Sequence, residues 1–332
     1  MNMVSPMAGV RLRPRNRIAT RLIMEMQVDS VATLIGAFGG NFDRAIIFFT
    51  LLRESSEIYR CATGTVRAEG GPCPGMSVNA LAASLARPFE TVRRHVNALI
   101  DAGLCLRDGQ YVRVAADAAQ RAAIAPVVRR LHDIMIRLVE DMASFGLPLP
   151  PARPRDTHDA QATVAAAIDM LLTAIEFHGP QHPEWLEVIT YGTVMIANAR
   201  SYTYDPVLAN IYSESDTVPP EGLRLPVATG ALARALHLPY STIGRHIARM
   251  VADGRLVRRD GGVMIATMWM QTTSQIVGAR IMAERTAQIF ARLAASGFAF
   301  DTPGALYLAG RPALVDFGLR HAVTRPLPLI TG

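Results

Sequence analysis

A long pattern occurs twice in this chain. Residues 239–262 read PYSTIGRHIARMVADGRLVRRDGG, and residues 88–110 read PFETVRRHVNALIDAGLCLRDGQ. With a shift of 151 positions, residues 81–103 overlay residues 232–254, and eight of the 23 aligned pairs are identical. The identical pairs are Leu81 with Leu232, Ala82 with Ala233, Leu85 with Leu236, Pro88 with Pro239, Thr91 with Thr242, Arg94 with Arg245, His95 with His246 and Gly103 with Gly254. An internal duplication explains this agreement and constrains the fold, because both copies must form the same unit.

Each copy predicts two helices separated by a short break. In the second copy, Leu232 and Leu236 lie one helical turn apart, and the three residues HLP interrupt the pattern before the next helix. That helix carries one apolar stripe, formed by Ile243, Ile247, Met250 and Val251. The first copy repeats the stripe with Val92, Val96, Leu99 and Ile100. We therefore expect the stripe in both copies to face a core.

Start and stop signals frame the second helix of each copy. Pro239 lacks the amide hydrogen that a helix start leaves unpaired, and Ser241 and Thr242 are expected to accept hydrogen bonds from first-turn amides. Gly254 and Gly103 offer the positive φ that ends a helix. Beyond them, RLVRRDGGVMIA and LCLRDGQYVRV indicate pairs of short strands joined at Asp-Gly. The sequence predicts a mainly α fold with small β-hairpin wings, built from two winged helix-turn-helix repeats with flanking helices.

The repeated segments resemble a known group of proteins. ALHLPYSTIGRHIARMVADGRL resembles the DNA-binding segment of bacterial IclR-type, GntR-type and MarR-type transcriptional regulators, and LAASLARPFETVRRHVNALIDAGL is similar to the same group. The resemblance covers about 40 residues per copy and does not extend to an effector domain. It implies that the second helix of each unit lies in a DNA major groove with the hairpin near the backbone. The flanking helices suggest the MarR-like arrangement, in which such helices form a dimer.

The second copy offers the stronger DNA contact. Its candidate DNA-binding residues are Tyr240, Ser241, Thr242, Gly244, Arg245, Arg249, Arg258 and Arg259. Arg245 suits a bidentate contact to guanine, Tyr240 and Ser241 suit phosphate or base, and Gly244 permits close approach. Residues 223–266 carry seven arginines against two aspartates. This balance favours an anionic partner.

The first copy is less basic, with five arginines against three acidic residues over residues 76–114. Its candidate DNA-binding residues are Glu90, Thr91, Arg93, Arg94 and Asn97. Glu90 occupies the place of Ser241, where a carboxylate either accepts from a cytosine amine or repels phosphate. The copies share the residues that form the unit and differ on the exposed side. We expect two units with different sequence preferences.

A proline-rich stretch, GLPLPPARPRDTHDAQ at residues 146–161, divides the chain near its middle. On each side the pattern is an apolar helical segment, the repeated unit and a long amphipathic helix. The predicted division is a basic tail at 1–17, a first repeat at 18–147 with its winged helix at 76–114, a linker at 148–160, a second repeat at 161–300 with its winged helix at 223–266, and a carboxyl-terminal tail at 301–332.

Composition narrows the function classes. The net charge is +6, and all 34 basic side chains are arginines. No Gly-rich phosphate loop, metalloprotease helix or nucleophile elbow occurs, so neither an enzyme nor a cofactor is expected. The three cysteines, Cys61, Cys73 and Cys105, have no metal-ligand spacing, and their odd number argues against a disulfide framework. With no apolar run of spanning length and no signal pattern, a cytoplasmic location without membrane insertion is expected.

Three further groups have a structural and a functional interpretation. His95 and His246 lie at the edge of the apolar stripe and are interpreted as packing and hydrogen-bonding residues rather than metal ligands. His178, His182 and Glu184 could supply a metal site, but they stand in a proline-broken loop. The amino-terminal arginines form a solvated tail or an arm that reaches a minor groove; they are Arg11, Arg13, Arg15, Arg17 and Arg21.

These observations predict a sequence-specific, double-stranded DNA-binding transcriptional regulator with two winged-helix units in one chain. The alternatives are a plasmid-type replication initiator and a chromosome-segregation scaffold whose winged helices bind protein. The two halves could pair within one chain, as a pseudo-dimer, or a homodimer could pair units of two chains. Apolar flanking helices at 43–59 and 185–200 could serve either arrangement, and a small-molecule effector could bind between them.

Overall fold

The chain is mainly helical, with small antiparallel sheets, as the sequence predicts. The computed structural model describes residues 15–53, 75–115, 118–151, 158–178, 184–214 and 217–319. In the first half lie α1 (Asn16–Ala37), α2 (Phe42–Arg53), β1 (Met76–Ser77), α3 (Val78–Ser84), α4 (Phe89–Asp101), β2 (Cys105–Asp108), β3 (Tyr111–Val114) and α5 (Ala118–Ser144). In the second half lie α6 (Ala160–His178), α7 (Trp185–Thr203), α8 (Pro206–Ile211), α9 (Thr229–Ala235), α10 (Tyr240–Ala252), β4 (Leu256–Arg259), β5 (Gly262–Ile265), α11 (Thr267–Met270) and α12 (Thr273–Ala295).

Both copies form a helix, a turn, a second helix and a hairpin. We call residues 76–114 the first unit and residues 223–266 the second unit. In each unit the turn places a residue other than glycine at positive φ, Ala86 at 48° and His237 at 53°. These two residues are related by the 151-residue shift, so both units have the same turn conformation.

The expected helix ends are partly confirmed. Gly103 and Gly254 have φ of 70° and 73°, and the next amide, at Arg255 in the second unit, donates to the carbonyl of Met250 at 2.9 Å. The expected capping by Ser241 and Thr242 is wrong. Pro239 is the N-cap residue, no side chain caps α10, and the helix begins at Tyr240, so both hydroxyls lie inside the first turn.

The hairpins pair as predicted, with one correction. In the second unit β4 and β5 are joined by Asp260 and Gly261, because Arg259 faces Gly262. In the first unit Asp108 is still within β2 and faces Tyr111. The turn there is formed by residues 109 and 110, so the Asp-Gly interpretation was one residue early. A short β1 adds to the first sheet, and an isolated bridge between Val227 and Val263 takes its place in the second.

The apolar stripes face the core. Ile243, Ile247 and Met250 are at most 1% exposed, and Val251 is half-buried. The first unit repeats this arrangement with Val92, Val96 and Leu99, all fully buried, and a half-buried Ile100. The two stripes belong to one continuous hydrophobic core that also includes the flanking helices of both halves.

The flanking helices pack the two halves together. Within the halves, α1 packs on α5 and α2, and α6 packs on α12 and α7. Between the halves, α1 packs on α12 and α7, and α6 packs on α5 and α2. Each contact has a counterpart when the halves are exchanged, as expected for a pseudo-twofold arrangement. Phe42 of α2 and Trp185 of α7 meet edge to face with ring centroids 5.7 Å apart.

The described amino-terminal arginines do not form a solvated arm. Helix α1 begins at Asn16, and within it Arg21 is only 5% exposed while Arg17 is half-buried. Arg15 is also half-buried and donates to a main-chain carbonyl just beyond α5 at 2.6 Å. The arm interpretation is therefore wrong for these three; Arg11 and Arg13 lie outside the described residues.

The stretch after the first half and the carboxyl-terminal segment are described in part. Residues 147–151 and 158–159 contain no helix or strand, and residues 152–157 lie outside the described ranges. The segment 301–319 lies along α5. There Asp133 accepts hydrogen bonds from the amides of Leu308 and Ala309, each at 2.8 Å, and Arg137 donates to the carbonyl of Pro312 at 3.1 Å.

Cys105 is buried, and burial raises the pKa of its thiol to about 12. Cys61 and Cys73 lie outside the described residues. Among the described helices, none is by itself long and apolar enough to cross a membrane; α1 and α2 satisfy the criterion only as a pair, and they are bent by 104° at their junction.

Candidate nucleic-acid interface

The first turns of α10 expose a mixed polar and aromatic surface. The periodicity that buries Ile243 turns Tyr240, Ser241 and Arg245 outward, and Tyr240 is 65% exposed. Arg245 makes no hydrogen bond or ion pair with a described residue. A Cβ added at Gly244 would have no atom within 4 Å, so packing within the chain does not require glycine there. Thr242 is half-buried.

Arg249 is engaged by the protein itself. Its Nη1 donates to Oε1 of Glu184 at 2.9 Å and to Oε2 of Glu187 at 3.1 Å, and both carboxylates lie at the start of α7. Glu187 is fully buried and also pairs with Arg255 at 2.5 Å. The hydrogen bond from Arg249 holds the pKa of Glu184 below its ordinary value. This cluster clamps α10 and the start of β4 to α7, so Arg249 has an intramolecular role.

The hairpin of the second unit holds one paired and one unpaired arginine. Arg259 forms a salt bridge with Glu221, which raises the pKa of Arg259 and lowers that of Glu221. Arg258 is exposed, and its side chain makes no hydrogen bond or ion pair with a described residue. With Arg245 and the exposed Arg234 of α9, it is one of three guanidinium groups on this unit that make no hydrogen bond or ion pair with a described residue.

On the exposed side of the first unit, more of the polar side chains are paired with one another. Arg93 donates Nε and Nη2 to the two carboxylate oxygens of Glu90 at 2.7 and 2.6 Å, and this bond lowers the pKa of Glu90. Asn97 accepts from Arg107 of β2 at 3.0 Å. Arg94, the counterpart of Arg245, is exposed and has no hydrogen bond or ion pair within the described part of the chain. Thr91 is half-buried.

The two repeated histidines are packing residues. His95 is 7% exposed and His246 is fully buried, and burial lowers the pKa of both. An acidic side chain opposes each shift: Asp43 for His95 and Glu184 for His246. The expected hydrogen bonding is wrong for His246, because neither ring nitrogen has a hydrogen-bond partner among the described residues. The carboxylate of Glu184 lies 3.9 Å from its Nε2, beyond hydrogen-bond distance.

Within the described residues, the proline-broken loop forms no metal site. Glu184 is committed to Arg249, while His182 and the side chain of His178 lie outside what the structure describes. The described residues contain no group of three or more His, Cys, Asp or Glu side chains that could hold a metal ion.

Sequence reasoning overlooked exposed apolar groups in the first unit. Phe89, Leu106 and Tyr111 are 46%, 44% and 48% exposed. The repeat itself signals the first of them, because Phe89 occupies the position of the exposed Tyr240. It also overlooked Arg234, an exposed arginine at the end of α9. No family model, curated protein or solved structure significantly matches this chain.

Proposed function

We propose that this chain is a sequence-specific regulator that binds double-stranded DNA through two winged helix-turn-helix units, the second being the main reader. The observation that carries the proposal is the open face of α10. Tyr240, Ser241 and Arg245 lie on it beside a glycine with free space above it. A helix that enters a major groove needs such a face, because arginine can fork onto guanine and glycine allows close approach.

Two features supply phosphate contacts. No side chain caps α10 or α4, whereas Ser77 caps α3 and Asp205 caps α8. At the starts of α10 and α4, no capping side chain therefore competes for the first-turn amides and the positive end of the helix dipole, and this suits the binding of a phosphate group. Arg258 at the hairpin adds an unpaired charge where a wing meets the DNA backbone.

The flanking helices support pairing within one chain. Each contact that α1 makes with the second half has a counterpart made by α6 with the first half. We infer an intrachain pseudo-dimer that presents α4 and α10 to two unlike half-sites. A homodimer of two chains is then not needed to supply the second unit.

The first experiment selects bound fragments from genomic DNA with the full chain at about 150 mM salt. The selected site is then used to measure affinity at several salt concentrations. We expect affinity to fall steeply as salt rises, because arginine–phosphate contacts release counterions.

The second experiment compares Arg245→Ala with Arg280→Ala, an exposed arginine of α12. We expect Arg245→Ala to lose ~1–3 kcal/mol of binding free energy and to relax preference at one base position. Arg280→Ala should bind as the parent chain does. Equal affinity of Arg245→Ala for the selected site, or binding that is insensitive to salt, would refute DNA reading by α10.

Exposed apolar side chains favour a second candidate role for the first unit, as a protein-binding module. Phe89, Leu106 and Tyr111 are apolar groups on a unit whose Arg93 is neutralised by Glu90. Arg94→Ala separates the two roles. If the first unit contacts DNA, this variant weakens DNA binding and shortens the stretch of DNA that the bound chain protects. If the first unit binds protein, the DNA affinity and the length of protected DNA stay unchanged.

A further inference from the structure

Two histidines meet where the first half of the chain joins the second. Nε2 of His132, on α5, lies 2.8 Å from Nε2 of His158, which stands just before α6. On the other side of the same ring, Nδ1 of His132 lies 2.9 Å from Oδ1 of Asp133. His132 and Asp133 are buried, and His158 is half-buried. A chain of hydrogen bonds therefore links α5 to the start of the second half.

The carboxylate of Asp133 fixes the positions of the protons in this chain. Burial by itself would raise the pKa of Asp133, but hydrogen bonds from His132 and from two amides of the carboxyl-terminal segment bring it below its ordinary value. Because an ionised carboxylate only accepts hydrogen bonds, Nδ1 of His132 carries the hydrogen. Neutral His132 then accepts at Nε2, and Nε2 of His158 donates to it. Nδ1 of His158 is left without a hydrogen, and it is buried with no hydrogen-bond partner among the described residues.

The closed pair has no favourable position for a further proton. A proton on Nε2 of His132 would set two N–H groups against each other across 2.8 Å. A proton on Nδ1 of His158 would create a buried, charged donor without an acceptor, which is costly. If the hydrogen of His158 moved from Nε2 to Nδ1, the bond between the rings would be restored, but the same donor would be unpaired. Only separation of the rings lets water satisfy every N–H group.

The surroundings of His158 also oppose a positive charge in the closed pair. Burial lowers the pKa of His158 to about 4, the charge of His132 acts in the same direction, and Asp159 opposes both. Asp133 would attract a proton on His132, but it offers no acceptor to the unpaired nitrogen of His158. Phe298, which follows α12, packs on His158 with ring centroids 5.7 Å apart and carries no charge.

We propose that the contact between His132 and His158 is a proton-sensitive joint between the two halves. One proton taken up from solvent separates His158, and with it the first turn of α6, from α5, while the helices of both halves stay folded. Asp159 couples the two events, because it follows His158 directly and its carboxylate accepts from the amides of Gln161 and Ala162 at 2.9 and 3.2 Å. The joint involves neither α10 nor DNA, so its test does not depend on the proposed function.

The test is amide hydrogen exchange of the full chain, with each rate divided by that of an unstructured peptide at the same pH. From about pH 7 to about pH 5, we expect the protection of the first-turn amides of α6 to fall at least about tenfold, because the open form binds the proton more tightly. Amides of α10 should keep their protection.

Three variants identify the group that takes up the proton. His158→Gln should keep the protection of α6 at both pH values, because a glutamine amide can donate to His132 and does not titrate. His158→Ala should show low protection at both. His237→Gln, at an exposed position, should behave as the parent chain does.

Nitrogen NMR spectra of the histidine rings test the proton positions themselves, with His158→Gln identifying the signals of His158. Near neutral pH we expect the hydrogen of His132 on Nδ1 and that of His158 on Nε2. The opposite position on either ring overturns the joint, as does an equal loss of α6 protection in the parent chain and His158→Gln. A loss of protection that is as large in α10 as in α6 shows general unfolding and also overturns it.

Discussion

At residue 244, a glycine lies inside α10 although no described residue of the chain occupies the space of a side chain there. Gly244→Ala should raise the free energy of unfolding by about 1 kcal/mol, because alanine loses less backbone entropy in a helix. The same methyl group should lower affinity for the selected DNA if α10 enters a groove. Chemical denaturation and DNA titration measure the two effects.

Gly230→Ala in α9 is the matched control, because its added Cβ would meet only the flexible end of Arg234 at 3.5 Å. It should stabilise the chain without changing DNA affinity. Unaltered DNA binding by Gly244→Ala would speak against close approach at that turn.

Also at the residue scale, periodicity predicts which side chains face inward, but it does not predict which charged side chains form ion pairs. The stripe from Ile243 to Met250 is buried as predicted. Arg245 and Arg249 look alike in the pattern, yet only Arg249 meets the carboxylates of Glu184 and Glu187. Those acids precede it by more than 60 residues in the sequence, so a local pattern carries no information about this pairing.

At the scale of elements, the clamp between α7 and α10 rests on two unequal carboxylates. Glu187 is fully buried and Glu184 is 45% exposed. Glu187→Gln should lower the free energy of unfolding by about 3–5 kcal/mol, because it leaves buried Arg255 and half-exposed Arg249 without that charge. Glu184→Gln should cost below about 1 kcal/mol.

Urea denaturation of both variants measures the difference. Equal losses would show that the buried carboxylate does not anchor α10 to α7.

Element boundaries were predictable where a local signal acts alone. Gly103 and Gly254 end their helices at the expected residues. The first hairpin turn was displaced because Asp108 pairs across the ladder with Tyr111, and register is set by the whole strand pair rather than by one dipeptide. The N-terminal capping failed similarly, since Pro239 takes the position that a hydroxyl residue would need.

At the scale of the molecule, one core joins both halves, so the chain should unfold in a single cooperative transition. Leu99→Ala in the first unit removes a fully buried side chain and should cost about 2–5 kcal/mol. Differential scanning calorimetry should show the whole transition moving to lower temperature. A separate early peak with the rest unmoved would indicate independent halves.

The lowered pKa of His158 should make the free energy of unfolding fall as the pH falls. Burial lowers the pKa of His158 to about 4, below the 6.5 of an exposed histidine, so from pH 6.5 to about pH 4 the unfolded chain binds the proton more readily. Burial also raises the pKa of Glu25 and Asp141, which works in the opposite direction. Comparison with His158→Gln isolates the histidine.

Between pH 6.5 and pH 4, the melting temperature of the parent chain should fall by more than the melting temperature of His158→Gln. His237→Gln, at an exposed position, should follow the parent chain. Parallel curves for the parent chain and His158→Gln would contradict the assignment.

Because α1 and α6 each pack on helices of the other half, the two units associate within one molecule, and this sets the reaction order of their association. Two units that are joined by covalent chain and a common core meet in a first-order process, whatever the number of molecules in the cell. A homodimer of single units loses its paired form as it is diluted below its dissociation constant. This chain keeps both units together at a single copy, and each unit can change by mutation without imposing the same change on the other.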